Sequence, residues 1–198
     1  MKAHVGRPLL IIAFVVFSVL FLLLLFYFIQ VTNKNKVFQG SAHQNQPVNK
    51  ASIGLPVRLM IPVINVNAVI QYVGVTPKGA MAVPNNATDV GWFKLGPRPG
   101  EKGSAVIAGH FDGENGEAGV FTNLNKLKKG DKLYIKNDKG ISITFVVRES
   151  RIYNPGYAND VFSGSSSAYL NLITCDGVWD GAKKSYSKRL VVFADIVH

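Results

Sequence analysis

Apolar and polar positions divide the chain into three stretches. Residues 9–29 form an unbroken run of 21 uncharged residues, whose most polar members are Ser18 and Tyr27. A bilayer core is crossed by about 20 apolar residues of helix, so the run predicts one transmembrane segment. A cleaved signal peptide would have a shorter apolar region, about 7–15 residues, ending at a small-residue cleavage site. No such site stands here, and no cysteine follows the run to carry a lipid. The expectation is an uncleaved signal anchor, with residues 1–8 cytoplasmic and the remainder outside the cell. Lys2 and Arg7 before the run are matched by Lys34 and Lys36 after it, so the positive-inside bias is small.

Residues 30–53 show no apolar period and no acidic residue, and Asn, Gln, Lys and Ser dominate. That composition cannot bury enough surface to fold and reads as a flexible linker. As a random chain it spans on the order of 25–30 Å. The domain beyond it is expected to work near the membrane surface.

From residue 54 to residue 198 the pattern changes again. Short runs rich in Val, Ile, Tyr and Phe alternate with Gly, Pro and Asn punctuation, which is the signature of strands. Strands are expected near Arg58–Ile61, Val66–Val73, Ala80–Val83, Ser104–Ala108, Lys132–Asn137, Ile141–Tyr153, Tyr169–Cys175 and Lys188–Ile196. Asp138-Lys139 before Gly140 marks a tight hairpin. Phe121, Leu124 and Leu127 fall on one face of a short helix expected over 120–127. About eight strands with little helix imply a mostly β fold, a closed barrel or a sandwich.

The net charge is +10, and five of the basic residues precede Gly54 without any acidic partner. The remaining 17 basic and 12 acidic residues leave the domain at +5. Much of that charge sits between Lys126 and Lys139, where a solvated turn and strand edge account for it. Neither aromatic interleaving, a helix–turn–helix pattern nor zinc-ligand spacing is present, so nucleic acid is not an expected partner.

Cys175 is the only cysteine. Outside the cell an unpaired thiol is either buried as a small hydrophobe or has a chemical task. If Tyr169–Cys175 and Lys188–Ile196 pair antiparallel, neighbours about 4.7–4.9 Å apart bring Cys175 and Arg189 to one rim. Alternation sends Leu170, Leu172 and Thr174 to one face, and Asn171, Ile173 and Cys175 to the other. Val191 and Phe193 share a face with Arg189, so two apolar rows are placed to floor a peptide groove. His110 follows the apolar run Ser104–Gly109, in a loop just past a strand end, where scaffolds display chemistry. His4, His43 and His198 lie before the anchor, in the linker and at the last position. Thiol, imidazole and guanidinium together make a minimal acyl-transfer set. Taken singly, each has an ordinary structural explanation.

Taken together, the residues resemble a sortase. Leu172-Ile173-Thr174-Cys175 is similar to that family's Leu-x-Thr-Cys signature, and Arg189-Leu190-Val191-Val192-Phe193-Ala194 to its arginine strand. Gly109-His110, then Gly119-Val120-Phe121 and Leu124-x-x-Leu127-x-x-Gly130-Asp131, is similar to the histidine segment. Upstream, Leu59-Met60-Ile61-Pro62, Val73-Gly74-Val75, Met81-Ala82-Val83-Pro84 and Gly91-Trp92-Phe93 extend the likeness, which runs from Val57 to Ala194.

The resemblance implies an eight-stranded sortase-type β-barrel with one or two short helices. It also implies a membrane-anchored cysteine transpeptidase that cleaves a Leu-Pro-x-Thr-Gly-like sorting signal between Thr and Gly. By it, Cys175 attacks the Thr carbonyl to form a thioacyl-enzyme, His110 moves protons, and Arg189 stabilises the oxyanion. Ile173, Thr174, Val191 and Phe193 are the expected substrate contacts. The implied partners are secreted proteins with C-terminal sorting signals and an amine on a peptidoglycan precursor. No cofactor is implied, and Asp112, Glu114 and Glu117 read as a solvated acidic loop, not a metal site. The pattern looks most like class F, with classes D, E and A as neighbours. Asn171 stands where many members have Thr, and no Asp-Pro-aromatic lid motif precedes the site. Two other functions fit the same residues: a secreted cysteine peptidase that releases product to water, and a non-catalytic wall-binding β-module.

Overall fold

The computed structural model describes residues 20–25, 27, 53–156 and 159–197. The chain separates into two units, Met1–Pro47 and Val48–His198. In the first, residues 20–25 are helical. The rest of the expected anchor, and nearly all of the expected linker, lie outside the described residues. Among the described residues no helix is long and apolar enough to cross a membrane.

Eight strands make up the second unit: β1 (Pro56–Ile61), β2 (Val66–Val73), β3 (Val90–Phe93), β4 (Gly103–Gly109), β5 (Lys132–Asn137), β6 (Ser142–Tyr153), β7 (Ala168–Asp180) and β8 (Ser185–Ile196). They close into a barrel in the order β1-β2-β3-β4-β7-β8-β6-β5. β2–β3 and β4–β7 are parallel pairs, and the other neighbours are antiparallel. Closure leaves no free sheet edge in the barrel.

Side chains alternate between the barrel interior and its outer surface, as period-2 strands require. Leu59, Ile61, Leu133, Ile135, Phe145, Leu170, Leu172 and Val192 fill the interior and are fully or almost fully buried. The antiparallel strand β5 shows this cleanly: Leu133 and Ile135 point in, while Lys132 and Lys136 are exposed. In contrast, every residue of β4 is buried. That strand pairs in parallel with β7 and is covered on both faces, so its small apolar sequence has no polar alternation. The outer cover is a second apolar cluster of Val106, Val161, Val191 and Phe193.

Two expected elements differ. No strand forms over 80–83; Met81 makes only an isolated bridge to Val75, and the third strand is Val90–Phe93 instead. Pro84 has no amide hydrogen to donate to a ladder, and the Ala-Met-Ala-Val run before it faces a cleft, not the core. The expected helix over 120–127 is a turn ending in one 3-10 segment at Leu124–Lys126. Phe121 and Leu124 are nevertheless fully buried and Leu127 nearly so, because spacing by three brings side chains to one face in a 3-10 turn as well.

Candidate active site

The parallel pair β4–β7 ends its register at Ala108 opposite Ile173. Two residues further along each strand stand His110 and Cys175. His110 follows the end of β4, and Cys175 lies in β7 where its pairing with β4 has stopped, so both stand at the same end of the parallel pair. The antiparallel pair β7–β8 places Cys175 directly opposite Arg189. Three chain segments thus deliver sulfur, imidazole and guanidinium to one rim, with the thiol on the central strand.

Local packing fixes each of them. A Cβ on Gly109 would lie 2.5 Å from the Phe121 ring, so only glycine lets the strand end close on the core before His110. Past Cys175, Gly177 adopts φ +83° in an irregular stretch of the β7–β8 ladder between Asp176 and Trp179. A side chain there would be strained and would meet the Ser187 hydroxyl. Thr174 donates its Oγ1 hydrogen to the Gly109 carbonyl at 2.8 Å, tying the two strand ends together.

His110 is half-buried, with Nε2 2.9 Å from the Pro84 carbonyl. A carbonyl only accepts, so Nε2 carries the hydrogen and Nδ1 is the nitrogen left to exchange a proton. The Arg189 guanidinium lies back along its own strand. It donates from Nη1 to the carbonyls of Tyr186 (2.9 Å) and Lys188 (2.7 Å), and from Nη2 to Ser185 Oγ (3.2 Å). Of its five N–H groups, Nε–H and one on Nη2 are left for an incoming oxygen.

Burial pushes the Cys175 thiol above its ordinary pKa; Arg189 pulls it down, and the Asp112 carboxylate adds to the rise. Desolvation therefore outweighs the pull of the Arg189 cation, and the resting group at neutral pH is a thiol.

The three residues open onto a cleft of about 620 Å³. Its walls are the 75–83 segment on one side, Phe93 and Ile173 below, and Phe162 opposite. Phe93 and Phe162 meet edge to face at 5.5 Å. Of the expected peptide contacts, Ile173 and Thr174 line this cleft, although the Thr174 side chain is buried and engaged with Gly109. Val191 and Phe193 do not line it. They are buried in the outer cluster under Val161, in the segment joining β6 and β7. Asn171 anchors that segment by donating from Nδ2 to the Val161 carbonyl at 2.7 Å.

Several surrounding residues have parts in the site that the sequence pattern did not assign to them, Asp112 having read only as part of a solvated acidic loop. Phe93 and Phe162 belong to the cleft, and the Pro84 carbonyl fixes the imidazole. Asp112 accepts a hydrogen bond from Tyr186 Oη. The Tyr186 ring packs edge-on against Phe111 at 5.6 Å and Trp179 at 5.2 Å. Among the described residues no three His, Cys, Asp or Glu side chains gather in a way that could hold a metal ion.

A family model described as "Sortase domain" matches residues 59–197. No curated protein is a significant match to the sequence. Among solved structures, sortase C-1 from Actinomyces oris superimposes with TM-score 0.59 at 24% identity, covering 80% of this chain and 84% of that one. Sortase C-1 from Streptococcus pneumoniae gives TM-score 0.57 at 24% identity, covering 72% of this chain and 66% of that one. A Group B Streptococcus Pilus Island 1 sortase C2 gives 0.56 at 23%, covering 71% and 73%. At these identities the structures speak to the fold alone. The family match spans most of the chain and every strand at the reactive rim, and by it the chain belongs to the sortase family of cysteine transpeptidases.

Proposed function

We propose that this protein is a membrane-anchored transpeptidase that cuts a Leu-Pro-x-Thr-Gly-like sorting signal between Thr and Gly and passes the acyl group to a cell-wall amine. The observation that carries this reading is the register of Cys175 opposite Arg189, with His110 leaving the adjacent strand at the same end. The Cys175 sulfur attacks the Thr carbonyl while His110 Nδ1 takes the thiol proton. The two uncommitted N–H groups of Arg189 meet the carbonyl oxygen as it gains charge. Collapse breaks the C–N bond, the imidazolium gives its proton to the leaving Gly amine, and a thioester remains. An amine then attacks the thioester, and His110 receives a proton from it.

The apolar walls of the cleft suit the Leu and Pro of such a signal, and its open end at Cys175 suits an extended peptide. Residues 9–29 support single-pass anchoring with the barrel outside the cell. Class F is the closest subclass by sequence pattern. The absence of an Asp-Pro-aromatic motif before the site argues against a pilin polymerase, and the fold-level likeness to pilus sortases does not decide the substrate.

The test is turnover of a quenched Leu-Pro-Ala-Thr-Gly peptide, with mass analysis of the enzyme and products. The expected result is an acyl adduct on Cys175 and an amide product when an amine is added. Cys175→Ala should abolish both. A product that stays a free acid at every amine concentration identifies a hydrolytic peptidase. No cleavage at all, with several sorting peptides, supports a wall-binding module.

A further inference from the structure

Asp112 sits awkwardly for a cysteine nucleophile. Its carboxylate acts on Cys175 in the direction that disfavours the thiolate. No ion pair among the described residues involves it, even though Arg189 is at the same rim. Its one side-chain hydrogen bond is accepted from Tyr186 Oη. Tyr186 is in turn held between Phe111 and Trp179, and its carbonyl accepts from Arg189. The tyrosine therefore locks the carboxylate in place against the β7–β8 hairpin. None of Phe111, Asp112, Trp179 or Tyr186 lines the peptide cleft. A negative charge beside the thiol, outside the donor groove and unpaired, opposes the first half of the reaction.

The opposition disappears once the sulfur is acylated, because a thioester carries no charge. The molecule that must arrive next is a primary amine, which at neutral pH is mostly an ammonium. We propose that the Asp112 carboxylate, oriented by the Tyr186 hydroxyl, is the residue that docks the acceptor's primary ammonium beside the Cys175 thioester. This deepens the proposed transpeptidation and rests on it. Asp112 retains lone pairs beyond the one used by Tyr186, and the exposed Trp179 ring nearby favours a cation over a neutral group. The proton count closes. Of the three ammonium hydrogens one passes to His110 and on to water, and the free lone pair forms the new C–N bond. As the C–S bond breaks, a second hydrogen goes by way of His110 to the departing sulfur, and the third stays on the amide.

The test compares two nucleophiles on the full-length enzyme with the Leu-Pro-Ala-Thr-Gly donor. Glycinamide at pH 7 is mostly cationic, and hydroxylamine is mostly neutral. Asp112→Asn should raise the KM for glycinamide on the order of tenfold, the scale of one charge-assisted hydrogen bond. It should change the KM for hydroxylamine by less than about twofold, and it should speed acylation of Cys175. Asp112→Glu should recover part of the glycinamide affinity. Tyr186→Phe, which keeps the carboxylate but frees it, should give an intermediate loss. Equal shifts for both nucleophiles, or none for either, would overturn the proposal, as would acylation falling in step with transfer. If the wild-type enzyme forms no acyl adduct at all, the transpeptidase reading fails and takes this one with it. A normal adduct with unchanged glycinamide KM removes this proposal alone.

Discussion

Thr174 and Gly109 are joined by a hydrogen bond of 2.8 Å, and each immediately precedes a reactive residue, Cys175 in one case and His110 in the other. The bond spans the two parallel strands just beyond their last paired residues. It therefore sets the distance between thiol and imidazole more directly than any contact the two side chains make themselves. Thr174 belongs to the core-facing row with Leu170 and Leu172, and it is 4% exposed. Its job is to position the strand ends. Thr174→Val keeps the shape and deletes the donor, so unfolding free energy should fall by about 1 kcal/mol. Turnover of the sorting peptide should fall through kcat with little change in KM, because the Thr174 side chain is buried against Gly109 and valine keeps its shape in the cleft lining. Denaturant titration and steady-state kinetics on the same preparation check both halves.

The balance of forces on Cys175 predicts its reactivity with pH. Burial and Asp112 raise the thiol's pKa, and Arg189 lowers it. Iodoacetamide modification should therefore follow an apparent pKa above that of a free cysteine. Removing the cation in Arg189→Ala takes away the one lowering influence, so the profile should move further alkaline. Removing the anion in Asp112→Asn should move it towards acid. If both variants shift the profile in the same direction, the electrostatic account of the rim is wrong.

Tyr186 gives a second titration at the same rim. Its hydrogen bond to Asp112, with burial and the nearby negative groups, pushes the phenol up from 10.0 to about 12. The folded state holds this proton more tightly than the unfolded one. The stabilisation is therefore complete below pH 10 and lost as pH climbs towards 12. Tyr72 and Tyr153 are raised as well, so absorbance at the tyrosinate band should show one fewer late-ionising tyrosine in Tyr186→Phe than in wild type. The same variant should lose less stability than wild type over that alkaline interval.

How far the sequence carries the fold depends on whether a pattern has one structural solution. The alternation in Tyr169–Cys175 and Lys188–Ile196 marks both as strands and sorts their faces, and the antiparallel pairing considered for them is the one formed, with Cys175 opposite Arg189. The hairpin at Asp138–Gly140 is equally specific, with Gly140 at φ +78°. Ala80–Val83 was ambiguous, because an apolar tetrapeptide serves a cleft wall as readily as a strand. Val90–Phe93 contains a glycine that weakens its strand signal, and it finds order through parallel pairing with β2 and antiparallel pairing with β4. Asp112 and Tyr186 are 74 residues apart and carried no shared pattern. Nothing in the chain announced that the segment joining β6 and β7 would fold down over Val191 and Phe193.

That last difference makes a prediction about which apolar residues recognise substrate. Ile173 and Phe162 face the cleft, and Phe162 is 41% exposed. Val191 is fully buried and Phe193 is 4% exposed, covered by Val161 and flanked by the guanidinium groups of Arg148 and Arg151 at 5.8 and 5.2 Å from its ring. Truncating Phe193 to Ala opens a cavity in a packed cluster and should cost about 3–5 kcal/mol. Its effect on KM for the sorting peptide, measured well below the melting temperature, should be small. Phe162→Ala should do the reverse, raising KM several-fold while costing much less stability than Phe193→Ala, because the ring is already 41% exposed and gives up less burial when it is removed. Melting curves and KM for the two variants side by side separate a cleft wall from the layer that supports it. A rise in KM for Phe193→Ala without loss of stability would return that residue to the groove floor.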